Sequence, residues 1–294
     1  MFNATESPDR ARALSLNTTH KEYTLMKPDY SRYRYLSITQ QNGIATLMLN
    51  QADKRNAIHA EMHAELEQVW VDLAADRDVN IIVFTGAGQT FSAGGDIKRM
   101  ASRFGSDEGW QYSLDVPAST RRLFQNILEV GQPIIAALNG DAVGLGATLA
   151  LFSDIAVIAD DAKFGDSHVK VGLVAGDGGA VVWPLLVGPA RAKEFLMRGN
   201  LVNGKEAHAL GLVNHAVPRD QVMAHATKLA QELNALPPLA VRWTKLSVNK
   251  WMKHQLNLIL DASIAYEMLS MNSKDHHEAA MAFIEKRAPS YKGR

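Results

Sequence analysis

Asn139-Gly140-Asp141-Ala142-Val143-Gly144-Leu145-Gly146-Ala147-Thr148 follows the apolar run Pro133–Leu138 and leads into a short helical stretch. Glycines on either side of Leu145 let the backbone approach a ligand closely. N–H groups at a helix start are donors without partners and favour negative charge. An earlier turn, Thr85-Gly86-Ala87-Gly88-Gln89-Thr90-Phe91-Ser92-Ala93-Gly94-Gly95-Asp96-Ile97-Lys98, also leaves a strand and enters a helix. It is not a dinucleotide fingerprint, because G-x-G-x-x-G needs glycine where Phe91 stands and the next helical signal comes only near Asp96. Taken alone it is equally a structural turn. If the two turns converge, one N–H from each forms an oxyanion hole, a preorganised contribution of a few kcal/mol.

Outward from these loops the chain alternates strand and helix. Tyr35–Gln40 and Ile44–Leu49 read as strands joined through Gln41-Asn42-Gly43, a hairpin signal. Met62, Leu66, Val69, Trp70 and Leu73 fall at helical spacing, and Ile81–Phe84 is a short apolar run ending at Gly86. The unit recurs as a helix near 116–130, a strand at Pro133–Leu138, a glycine-rich turn, a short helix and a strand at Asp154–Ala159. After Gly211 the pattern is mostly helical, and Pro237-Pro238 marks a boundary before helices expected near 239–252, 255–270 and 275–286. The expected organisation is therefore a polar, mobile N-terminal arm over 1–33, a core over 34–236 and a helical cap over 237–294. Such a cap is too small to hold a core alone and is expected to pack on another subunit.

Composition narrows the function. The 294 residues are 47% hydrophobic, and 31 basic residues balance 31 acidic ones, which leaves no basic excess for nucleic acid or anionic membrane. The absence of cysteine excludes disulfides, thiolate metal sites and cysteine nucleophiles. No run approaches the roughly 18 apolar residues of a membrane span, and residues 1–30 lack the apolar core of a signal peptide. A soluble, cytoplasmic protein is expected.

Asp53-Lys54-Arg55-Asn56-Ala57, Phe91–Lys98, Asn139-Gly140-x-Ala142-x-Gly144-x-Gly146, Ser153-Asp154-Ile155 and Ala282-Phe283-x-Glu285-Lys286-Arg287 occur in this order. In order and spacing they resemble the crotonase, or enoyl-CoA hydratase/isomerase, superfamily over about 34–294. The resemblance implies an α/β spiral of repeated β-β-α units with a C-terminal helical trimerisation region. It implies a homotrimer, or a hexamer as a dimer of trimers, acting on an acyl-CoA thioester with coenzyme A as part of the substrate and no separate cofactor or metal. The oxyanion-hole donors would be the N–H groups of Gly95 and Leu145. Lys54, Arg55, Ala93 and Lys98 fall where the family contacts CoA, and Phe283 and Lys286 where a neighbouring subunit closes over the nucleotide. A solvated surface charge is the alternative for each basic residue.

The hydratases of this family resemble one another in two glutamates, and this chain has neither: Thr148 and His168 stand at those positions. A threonine hydroxyl orients water or a carbonyl but is no base near neutral pH. His168 titrates in the useful range and could take a proton from carbon or activate water, with Asp166 orienting it; a loop histidine bonded to backbone is the alternative. Asp177 lies one residue from the place where some dienoyl-CoA isomerases of the family carry an aspartate, and it reads equally as a helix cap. His59 and His63 are four apart on one helix, but Glu61 is off their shared face, which argues against metal. His63 alone matches a catalytic histidine of the family's carbon–carbon bond hydrolases, which also resemble this chain at Gly176-Asp177-Gly178 and Val182-Trp183-Pro184. Met100, Phe104 and Trp183 read as acyl-pocket wall or as core. The expected reaction is hydration or double-bond isomerisation through an enolate with His168 as acid/base. A thioester or β-diketone hydrolase and a non-catalytic CoA-binding protein are the alternatives.

Overall fold

A computed structural model of the chain describes residues 27–294. The strands are β1 (Leu36–Gln41), β2 (Ile44–Leu49), β3 (Ile81–Gly86), β4 (Thr90–Ser92), β5 (Ile134–Leu138), β6 (Asp141–Val143), β7 (Ile155–Ala159), β8 (Lys163–Gly165), β9 (Val202–Asn203) and β10 (His215–Val217). The helices are α1 (Ala60–Ala75), α2 (Ile97–Arg103), α3 (Asp107–Glu129), α4 (Leu145–Leu151), α5 (Gly179–Val187), α6 (Pro189–Arg198), α7 (Gly204–Ala209), α8 (Val222–Asn234), α9 (Pro238–Met271) and α10 (Lys274–Glu285).

Two sheets result, in the orders β1-β2-β3-β5-β7-β10 and β4-β6-β8-β9. Each of the pairs β3/β4, β5/β6 and β7/β8 gives its first strand to the large sheet and its second to the small one, which is the expected β-β-α repeat. β1 and β2 are antiparallel through Asn42-Gly43, both at positive φ as a two-residue hairpin requires. β3 and β5 are buried at every residue and pair in parallel, because the small sheet covers one face and α8 the other. Trp70 of α1, Phe84 of β3 and Phe91 of β4 meet edge to face at 5.4 and 5.1 Å, joining helix and both sheets in one core.

Three expectations change. Residues 27–33 are not a free arm: the Tyr30 and Tyr33 hydroxyls donate to Asp76 and Asp72 at 2.9 and 2.5 Å; residues 1–26 of the expected arm lie outside the described residues. α3 begins well before Pro117, whose ring is accommodated inside the helix, and not at 116. The expected helices 239–252 and 255–270 are one helix of 34 residues, since Lys253 and His254 carry no helix-breaking chemistry. α9 packs along α3 and α5, and its Leu256 and Leu260 enter the main core, so the cap is bound to its own chain. It leaves Trp243, Val248, Trp251, Leu258 and Leu269 exposed. Among the described residues no helix is long and apolar enough to cross a membrane.

Candidate active site

The small sheet aims the site. Its strands β4, β6 and β8 are parallel, so all three chains leave it on one side, toward Gly95, Leu145 and His168 respectively. These three residues line one cavity of about 270 Å³. The loops converge as closely as backbone allows. A Cβ on Gly94, which sits at φ +83°, would fall 2.6 Å from the Val143 carbonyl oxygen, and one on Gly146 would fall 2.6 Å from Ser92 Cβ. Buried Asn56 fastens its own loop to the first glycine turn, donating to the carbonyls of Ala87 and Thr90 at 2.9 and 2.7 Å. Asn139 does the same from the second turn, donating to Gly86 and Gly88 at 2.9 and 2.8 Å.

Leu145 is the first residue of α4, and the helix ladder starts only with the Thr148 N–H bonding to the Gly144 carbonyl at 3.0 Å. The Leu145 N–H therefore has no helical acceptor. Neither it nor the Gly95 N–H has a backbone acceptor among the described residues.

His168 opens a short 3-10 turn and is buried between two carboxylates. Its Nδ1 lies 2.7 Å from Asp166 Oδ1, which also accepts the His168 N–H at 3.1 Å, and its Nε2 lies 3.2 Å from Asp177 Oδ2. Burial opposes charge on the ring, but Asp166 and Asp177 outweigh it and hold the imidazole pKa well above its ordinary value. Burial would likewise raise Asp166, and the adjacent imidazolium more than offsets this and lowers it. Asp177 is not the helix cap: α5 begins at Gly179 after Gly178, and the Asp177 carboxylate turns to His168, leaving Oδ1 without a partner at the cavity. Asp166, His168 and Asp177 offer atoms within 4.8 Å of one another, but the ring nitrogens point to opposite carboxylates. They would hold a cation only if the ring turned away from one of them.

Glu267 of α9 is the site residue that the sequence reading missed. It is buried, lines the same cavity, and its Oε2 has no hydrogen-bond partner. Burial first, and then the Asp177 charge, push its pKa well above the carboxylate range, which favours the protonated form, the one able to donate. Between its unfolded and folded pKa values the native state holds one more proton than the unfolded chain. Stability therefore falls as pH rises through that window, by at most about 1.4 kcal/mol per pH unit. His168, also raised, acts in the same sense from about pH 6.5 upward. Glu267→Gln removes the carboxyl part: its melting temperature should exceed the native protein's by a margin that widens from about pH 5 to about pH 7. A constant or narrowing margin in thermal melts contradicts the assignment.

The other candidates separate. Thr148 is fully buried, its hydroxyl donates to the Gly144 carbonyl at 3.3 Å, and it does not reach the cavity. His63 does line the cavity, with Nδ1 3.1 Å from Ser119 Oγ. His59 caps α1, accepting from the Met62 N–H, and its ring nitrogens lie against Glu61 and Gln51. Met100 is cavity wall, Phe104 stacks on His277 at 4.4 Å, and Trp183 is core between Phe164 and Phe195. Lys54 and Lys98 are exposed; Arg55 is exposed and paired with Asp141 at 3.2 Å; the Ala93 N–H bonds to the Arg55 carbonyl at 3.0 Å. Exposed Phe283 and Lys286 lie at the end of α10, which packs on the Lys98-bearing α2 of the same chain.

Comparison with known proteins agrees with this geometry. The family model "Enoyl-CoA hydratase/isomerase" matches residues 39–294. A putative enoyl-CoA hydratase of Thermus thermophilus is 35% identical over 86% of this chain and 98% of its own length. The 1,2-epoxyphenylacetyl-CoA isomerase of Escherichia coli is 31% identical over 86% and 97%. Among solved structures, an enoyl-CoA hydratase/isomerase from Mycobacterium paratuberculosis superposes with a TM-score of 0.80 at 32% identity, covering 86% of this chain and 99% of that one. The two mixed sheets and the C-terminal helices thus have their counterpart in a known group, and the chain belongs to the enoyl-CoA hydratase/isomerase (crotonase) superfamily.

Proposed function

We propose that this enzyme binds an enoyl-CoA thioester, polarises its carbonyl on the N–H groups of Gly95 and Leu145, and hydrates or isomerises the double bond through the stabilised enolate. The observation that carries the reading is the buried Asp166–His168–Asp177 chain beside the two open N–H groups. It supplies an acid/base in a chain that has neither of the glutamates expected from the resemblance. Asp166 fixes the ring, the proton resides between His168 Nε2 and Asp177, and the unpaired Asp177 Oδ1 meets the reacting carbon or water. Glu267, held uncharged, donates a hydrogen bond into the same space. Lys54, Arg55, Ala93, Lys98, Phe283 and Lys286 are the proposed CoA contacts.

A second reading, a hydrolase, is favoured by one observation: His63 gives the cavity another imidazole. Mass spectrometry of the protein incubated with enoyl-, β-hydroxyacyl- and β-ketoacyl-CoA thioesters separates the two. Gain or loss of one water, or an isomer of shifted retention, is expected. Release of free CoA or cleavage of the acyl chain would establish the hydrolase instead.

A further inference from the structure

Away from the His168 cluster, the cavity has a polar wall that the proposed chemistry does not use. This wall is built where α1 packs on α3, whereas Glu267 comes from α9. Here His63 of α1 meets Ser119 of α3, with Nδ1 3.1 Å from Ser119 Oγ and 3.4 Å from Glu67 Oε1. The Ser119 hydroxyl donates to Glu67 in a short bond, and Arg122 Nε donates to the other oxygen of that carboxylate at 2.7 Å. Burial raises the Glu67 pKa, but His63, Ser119 and Arg122 together bring it below the usual range, so the carboxylate is charged.

Because the Ser119 hydroxyl directs its hydrogen to Glu67, its oxygen is left to accept from Nδ1–H of His63. The ring is thus fixed in position and tautomer from behind, while Nε2 has no protein partner among the described residues and the ring lines the cavity. Val116 and Met100 give the cavity lining an apolar part, beside His59, Asp115, Ser119 and Thr120. A pocket for a plain alkyl chain gains nothing from a half-buried, oriented imidazole, and a polar group left without a partner there costs free energy.

We propose that His63 Nε2 is a recognition point for an oxygen substituent on the acyl chain, so that the preferred thioester carries a hydroxyl or ketone remote from the thioester carbonyl. Ser119 and Glu67 are positioning residues for that contact. The inference rests on the thioester-binding reading but not on turnover. A site built to bond an oxygen function discriminates strongly against the analogue that lacks it.

Calorimetric titration of the full chain with hexanoyl-CoA, 5-hydroxyhexanoyl-CoA and 5-oxohexanoyl-CoA, none carrying a reactive double bond, tests it. At least one oxygenated thioester should bind about tenfold more tightly than hexanoyl-CoA, or better. Tighter binding of the hydroxyl form identifies a neutral ring accepting at Nε2, and tighter binding of the ketone a charged ring donating there. His63→Phe should bring the three affinities within about twofold of one another, and Ser119→Ala, which leaves the ring in place but loosens it, should reduce the preference in the same direction. Equal affinities for all three, or a preference that survives both substitutions, overturn the inference alone. Failure of all three to bind overturns the thioester reading and the inference with it.

Discussion

His168→Ala should lower kcat/KM on the enoyl-CoA substrate by about 10²–10⁴-fold, the contribution typical of a positioned acid/base. Thr148 is committed to the α4 backbone, so its hydroxyl does not take over. Asp177 alone keeps its carboxylate but loses the imidazolium 3.2 Å away that shares its proton. Removing the ring also leaves Asp166, Asp177 and Glu267 as three buried acids without the imidazole that lay between two of them, a cost to stability. His168→Gln retains hydrogen bonding without the titrating proton and separates the two effects. It should fold like the native protein by circular dichroism and remain as inactive as the alanine variant. Activity of either variant within a few-fold of native contradicts the role.

Leu145→Pro should cost about 10²–10³-fold in kcat while leaving the fold in place, the penalty for one missing oxyanion donor. Proline deletes only the N–H, and the first position of a helix tolerates it because that N–H has no helical partner. The preceding residue is normally a difficulty, since proline pushes it toward extended backbone. Gly144, at φ 56° and ψ −127°, already occupies the mirror image of that region, open to glycine alone. Leu145→Ala is the control, trimming the side chain while keeping the donor, and its kcat should stay within several-fold of native. Equal losses in the two variants would mean that the side chain, and not the N–H, matters at this position.

The convergence of the two loops was legible because its causes are local: glycine at 94, 144 and 146, and strands short enough to end at the site. Other features were hidden by distance. Glu267 lies on α9, far in sequence from Asp177 in the turn before α5, and nothing near it in sequence announces a site. A signal did exist: Leu256, Leu260, Ile264, Met268 and Met271 mark an apolar stripe, and Glu267 sits on it where an acid is out of place. Glu67 and Ser119 look unremarkable singly, and only the packing of α1 on α3 joins them to His63. Asp177, just before a helix, reads as a cap as readily as a catalytic acid, and only the structure, with a left-handed turn at Gly178, φ 103°, shows its side chain against His168. Pro117 hid the first turns of α3, since proline more often opens a helix than lies within one.

In the proposed mechanism the N–H groups of Gly95 and Leu145 hold an enolate whose proton passes through the His168–Asp177 pair. The most direct test is to run the thioester mixture in heavy water and locate deuterium in the product by mass spectrometry and NMR. Hydrated or isomerised thioester carrying deuterium on the acyl carbons, formed by the native protein and lost with His168→Gln, is the predicted result. Thioesters recovered unchanged and free of carbon-bound deuterium, or deuterium incorporation undiminished without His168, would contradict it.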